Sequence, residues 1–151
     1  MKLSNKGRYA VRAMFDLAFH AEGAAAQIKD VAERQAVPVR FLEQIFQDLR
    51  RAALVTSKRG PRGGYQLGRA AQDISLGDVF RAIEGTLAVY SGEDAAAEGD
   101  AASLAITDAA FRELSARIES CFDAVTLEEL CERAQHQGLK KNAPAGYIYV
   151  I

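Results

Sequence analysis

Cysteine and histidine are scarce here, with two of each in 151 residues. Cys121 and Cys131 are too few for a disulfide framework or a four-thiolate metal site. His20 and His136 fall on separate predicted helices, with no Asp, Glu or Cys cluster at ligand spacing around either. No nucleophile–base arrangement is visible, and the glycine-rich turn "RGPRGG" lacks the Lys-Ser/Thr ending of a phosphate-binding loop. These absences argue against an enzyme and predict neither metal nor cofactor. Long apolar runs are missing as well. None approaches the roughly 18 residues that span a bilayer, and "MKLSNKGRYA" has no signal-peptide core, so a cytoplasmic location with no membrane partner is expected.

Net charge is nearly absent, at −1, but the balance hides a division. Residues 1–70 hold thirteen Lys and Arg against six Asp and Glu, a balance of +7, while residues 71–151 hold six against fourteen, a balance of −8. A basic first half is expected to meet a polyanion. At 16.4 kDa and 49% apolar residues, the chain is one domain, or one domain with an appended arm, able to bury a core.

Apolar periodicity predicts a mainly α fold. A first helix is expected from an N-cap at Ser4 to about Ala21, burying Val11, Met14, Phe15, Ala18 and Phe19, with Gly23 ending it. A second covers about Ile28 to Gln35, with Ile28, Val31 and Ala32 inward. In "QAVPVRFLEQIFQDLRRAALV", Pro38 suits a helix's first turn. Phe41, Leu42, Ile45, Phe46 and Leu49 form the apolar face there; Arg40, Glu43, Gln44, Gln47 and Arg51 stay polar. Two helices joined closely, the second bearing groups able to bond to bases, is the pattern of a helix-turn-helix. "LVTSK", "RGPRGG" and "YQL" then read as strand, turn and returning strand, which makes the unit a winged helix-turn-helix with a two-stranded wing. Gly60, Gly63 and Gly64 let the loop bend and Pro61 stiffens it, so Arg59 and Arg62 are held at a narrow tip. A minor groove about 6 Å wide and strongly negative suits such a tip.

"ISLGDVFRAIEG" opens on a capping-box pair, Ser75 and Asp78, and closes on Gly85. Residues 91–102, "SGEDAAAEGDAA", are of low complexity and acidic, and read as a loop. From about Leu104 to Ala124 an apolar stripe (Leu104, Phe111, Leu114, Ile118, Cys121 and Val125, with Thr107 as a gap) has the spacing of a long helix that packs on a partner helix. The same stripe would also serve packing on its own domain. Thr126 and Glu129 form a second capping-box pattern that restarts a helix running to about Gln137. The expected organisation is a winged-helix domain over 1–86, a loop over 87–103, dimerisation helices over 104–137 and an extended C-terminal tail over 138–151.

"LSNKGRYAVRAMFDLA", "FLEQIFQDLR", "LVTSKRGPRGGYQLG" and "ISLGDVFRAIEG" closely resemble the bacterial winged-helix transcriptional regulators that include the IscR, NsrR, RirA and CymR types. The resemblance implies a homodimer that binds palindromic double-stranded DNA through the second and third helices and the wing. On it, Arg40, Glu43 and Gln44 are expected at base edges, with Glu43 accepting from cytosine and Gln44 bonding adenine. Ser4, Lys6, Arg8, Ser57 and Lys58 are expected at phosphates, with Arg59, Pro61 and Arg62 at the wing tip. Glu43 would otherwise be a surface partner for an arginine.

Many members hold an iron–sulfur cluster on three cysteines before the dimer helix, but Tyr90–Leu104 contains none, and thiolate is what such clusters require. That absence points to the cluster-free cysteine-metabolism repressor, the CymR type. The resemblance then implies a regulator, most simply a repressor, of cysteine or sulfur metabolism genes. It also implies cysteine synthase (O-acetylserine (thiol) lyase) as a partner docked on Tyr147, Ile148, Tyr149, Val150 and Ile151. The same tail segment would otherwise pack on its own dimer or extend a sheet edge. Two further readings stay open: a thiol-sensing regulator of the same fold using Cys121 and Cys131, and an adaptor that no longer binds DNA.

Overall fold

The structure, a computed structural model, describes residues 2–92 and 98–141. In chain order it contains α1 (Asn5–Phe19), α2 (Ile28–Gln35), α3 (Val39–Arg51), β1 (Val55–Lys58), β2 (Gly64–Leu67), a 3-10 turn at Ala71–Asp73, α4 (Leu76–Glu84), α5 (Ala101–Asp123) and α6 (Leu127–His136). The two strands pair antiparallel with Val55 opposite Leu67 and Lys58 opposite Gly64. This is the winged helix-turn-helix expected.

Local signals place most helix ends. Ser4 Oγ accepts from Gly7 N at 2.9 Å to start α1. Ser75 and Asp78 form a reciprocal capping box, each backbone N–H donating to the other's side chain at 3.0 Å. Gly85 closes α4 with φ +83°, a conformation that costs glycine little. At α6 only half of the expected box forms: Thr126 Oγ1 accepts from Glu129 N at 3.2 Å, while the Glu129 carboxylate turns to Arg133 one turn on.

α1 is the central element and packs against α2, α3, α4 and α6. Its burial therefore departs from the single stripe expected. Gly7, Ala10, Ala13, Met14, Asp16, Leu17 and Phe19 are buried, whereas Val11, Phe15 and Ala18 are only half-buried. The small residues let neighbouring helices approach closely; a Cβ on Gly7 would collide with the Phe80 ring. Val11 and Phe15 face α6 instead, lining an open groove with Leu130, Ala134 and Leu139. The helix also ends at Phe19, short of Ala21, with His20 N–H donating to Asp16 O.

The core gathers Met14, Leu17, Val31, Leu42, Ile45, Phe46, Leu49, Leu54, Val55, Ile74, Val79 and Leu127. Each fully buried side chain of this kind contributes about 1.5–3 kcal/mol. Leu127 has a consequence for the organisation. Leu76 N donates to Val125 O at 2.8 Å and Leu127 N to Ile74 O at 2.9 Å, so the chain returns to the winged helix and α6 lies on α1. Within the region expected as one dimerisation unit over 104–137, α6 packs on α1 of the winged-helix body, whereas α5 is held to that body through α4.

α5 is 23 residues long, roughly 35 Å at 1.5 Å per residue. Its C-terminal end is tied down, with Arg81 donating twice to Asp123 at 2.8 Å and Phe122 meeting Phe80 at 5.2 Å. Further toward its N-terminus, Leu104, Phe111 and Leu114 are exposed, at 41%, 50% and 54%. Ile118 is half-buried and Cys121 exposed; Val125 lies past the helix end.

Candidate nucleic-acid interface

A buried ion pair between α1 and α2, which no sequence spacing announces, fixes the end of α2 just before the turn into α3. Asp16, fully buried on α1, accepts from Arg34 Nε at 2.9 Å, Arg34 Nη2 at 2.7 Å and Gln35 Nε2 at 2.9 Å. The carboxylate's hydrogen bonds raise the Arg34 pKa above its ordinary value, so the guanidinium stays charged. The pair anchors the end of α2 to α1. Ala36 then takes a left-handed conformation, φ +51°, and Val37 N donates back to Ala32 O at 3.1 Å. Pro38 caps α3, one position earlier than the first-turn placement expected.

α3 buries Leu42, Ile45, Phe46 and Leu49 and leaves Arg40, Glu43, Gln44 and Gln47 exposed. The polar face matches the expectation, but the apolar one does not. Phe41 was expected in the core and is 57% exposed, beside Val39 at 43%. The stripe 42, 45, 46, 49 is already complete at helical spacing, and Phe41 lies on its flank. A wheel drawn on those four positions alone is the signal that would have set it apart.

The wing stands on α3 and on the loop before α2. Tyr65 stacks on Phe46 with centroids 4.5 Å apart and planes 10° apart. Tyr65 and Ala26 also exchange two backbone hydrogen bonds of 2.8 Å. Close approach there requires Gly64, whose φ is +146° and where a Cβ would run into the Ala26 carbonyl. At the tip, Gly63 N donates to Gly60 O at 2.9 Å, closing a turn around Pro61 and Arg62. Ser57, Lys58, Arg59, Pro61 and Arg62 are all exposed. The result is a slim cationic hairpin, about 4.8 Å between strands, with two arginines at its end.

The expected phosphate anchors on α1 are less free. Ser4 Oγ caps the helix and also bonds Glu84. Lys6 pairs with Asp48 at 2.7 Å, tying α1 to α3, so a phosphate would compete with that carboxylate. Arg8 is exposed and donates to Asn5 Oδ1. The tail residues Tyr147, Ile148, Tyr149, Val150 and Ile151 lie outside the described residues.

Among the described residues, no three His, Cys, Asp or Glu side chains converge as metal ligands, and no helix is long and apolar enough to cross a membrane. Cys121 is exposed on α5 and Cys131 buried on α6. Burial pushes the Cys131 thiol pKa up, which holds it as the unreactive thiol.

An exposed polar helix preceded by a tight turn and followed by an arginine-tipped hairpin defines a winged-helix DNA-binding protein. Comparison with known proteins gives the particular kind. Residues 3–133 match the Rrf2 family, described as "Iron-dependent Transcriptional regulator", and the chain belongs to that family. It is similar to the HTH-type transcriptional regulator IscR of Vibrio atlanticus, 42% identical over 130 residues covering 86% of this chain and 75% of the relative. The IscR of Aliivibrio salmonicida is 41% identical over 132 residues, 86% of this chain and 77% of the relative. Among solved structures, T. potens IscR matches with TM-score 0.74 and 34% identity over 94% of both chains. CymR of B. subtilis matches with TM-score 0.72 and 31% identity, over 88% of this chain and 98% of that one. The two Vibrio and Aliivibrio relatives are named as transcriptional regulators.

The family's iron meets a poor donor set here. The chain has two cysteines, on different helices, and none within 87–103. A cluster held by several thiolates does not fit these residues.

Proposed function

We propose that this regulator binds palindromic DNA as a homodimer, with α3 in the major groove and the wing in the adjacent minor groove. The observation that carries the reading is the pairing of an exposed Arg40–Glu43–Gln44 face with the exposed Arg59–Pro61–Arg62 tip. Arg40 and Gln44 donate to base edges and Glu43 accepts from cytosine N4. Carboxylate near phosphates costs affinity, so Glu43 serves discrimination. Ser57, Lys58 and Arg8 hold phosphates; Ser4 and Lys6 do so secondarily, after their own intramolecular partners. The exposed α5 stripe, Leu104, Phe111 and Leu114, is the surface on which the two subunits join.

The finer reading is a repressor of cysteine or sulfur metabolism genes, with cysteine synthase as partner through Tyr147–Ile151. Its support is the cysteine-free loop and the likeness to a CymR structure. Selecting preferred duplexes from a random pool, with and without the synthase, tests both levels. A synthase-dependent gain in operator binding, lost on deletion of residues 148–151, is expected. A truncated protein that still retains the enzyme would remove the tail from the account.

A further inference from the structure

We propose that Phe41 is a specificity-determining residue that reads the C5-methyl of a thymine in each half-site. The inference deepens the DNA-binding reading above and rests on it. Leu42, Ile45, Phe46 and Leu49 on the same helix are all 0% exposed, so the core closes without Phe41. The ring instead stands in the first turn of α3, 57% exposed, one residue from Arg40 and three from Gln44. Tyr9 braces it from one side, with centroids 6.3 Å apart and planes at 51°, which leaves most of its surface open. The Tyr9 ring carries Arg12 on its own face at 5.6 Å, so the brace is itself held.

A phenyl ring has no donor with which to anchor a phosphate. Among the base-edge features displayed in the major groove, the thymine methyl is the apolar one. Val39, 43% exposed beside it, extends the same apolar edge. Arg40, Glu43 and Gln44 would read donors and acceptors while Phe41 reads the methyl, a division of labour on one helix turn.

The test replaces the thymines of a selected duplex one at a time with deoxyuridine, which removes the methyl and keeps the Watson–Crick edge. Wild-type protein is expected to lose about fourfold in Kd at one thymine per half-site, the worth of one buried methyl. Phe41→Ala is expected to bind the thymine and uracil duplexes equally at that position, and Phe41→Tyr to restore the difference. Matched circular dichroism and melting of the variants checks their fold. The proposal is overturned if every uracil duplex binds wild type as well as the parent, or if Phe41→Ala keeps the full loss. It is equally overturned if Phe41→Ala weakens both duplexes alike with no change in their ratio, which marks a backbone contact. If no duplex is preferred over random DNA, the DNA-binding reading itself fails, and that result is distinct from a preferred duplex indifferent to its methyl groups.

Discussion

Removing Asp16 is expected to be among the most damaging single changes away from the apolar core. Its carboxylate is 0% exposed and Arg34's side chain 13% exposed, so the carboxylate has no water to fall back on and the guanidinium little. Asp16→Ala strips three hydrogen bonds and leaves the guanidinium and the Gln35 amide seeking partners in a largely closed site. Breaking a buried pair from one side costs about 3–5 kcal/mol, against a total of about 5–15 kcal/mol for a domain. With a urea slope near 2 kcal/mol/M, the midpoint should fall by about 2 M. Arg34→Ala should cost as much, because it strands the carboxylate. The double variant Asp16→Ala/Arg34→Ala should cost clearly less than the sum, since each deletion removes the charge the other leaves unpaired. Urea unfolding at one fixed protomer concentration measures all three, because assembly would otherwise shift the midpoints. A loss below about 1 kcal/mol for Asp16→Ala, or strict additivity in the double variant, would refute the reasoning.

Glu43→Ala should relax base preference with little loss of overall affinity. Arg59→Ala should weaken selected and scrambled DNA together and reduce the salt slope by about one ion; titrations at several salt concentrations separate the two. Gly64→Ala should unseat the wing by driving a Cβ into the Ala26 carbonyl, lowering operator affinity while α1–α3 stay folded by circular dichroism. Leu114→Asp should leave the winged helix intact and, if the α5 stripe joins two subunits as proposed, yield a monomer in sedimentation where wild type sediments as a dimer. His20 is buried, and burial lowers its pKa below 6.5, more than neighbouring Asp16 raises it. Its folded pKa is therefore depressed, so stability is complete above pH 6.5 and declines as pH falls below it; melting across pH 5–8 should show that decline, flattened in His20→Asn.

What was legible in the chain was what local chemistry decides. Ser75 with Asp78, Gly85 after α4 and Thr126 with Glu129 mark helix ends within a few residues of one another, and their geometry followed. The wing was legible for the same reason: glycines and Pro61 restrict a loop wherever it sits. What failed was long-range. Asp16 and Arg34 are 18 residues apart and Lys6 and Asp48 are 42 apart, and neither pair has a spacing that announces it. Val11 and Phe15 fit a single-stripe pattern yet are only half-buried, because a helix enclosed by four others has no single buried stripe. Phe41 was drawn inward by hydrophobicity alone, although position on the wheel already put it at the edge. α6 reads in sequence like a continuation of the α5 arm, and its packing on α1 with Leu127 in the core assigns it to the body.

One binding titration decides whether this chain reads DNA sequence. Wild-type protein is titrated against its own selected palindrome and against a scrambled duplex of the same composition, in the same near-physiological salt. Tighter binding to the palindrome by about a thousandfold or more is predicted, reduced by about tenfold in Glu43→Ala and unchanged in Arg59→Ala, which weakens both duplexes together. Equal affinity of the wild type for the two duplexes, or a preference that Glu43→Ala leaves untouched, would contradict that reading.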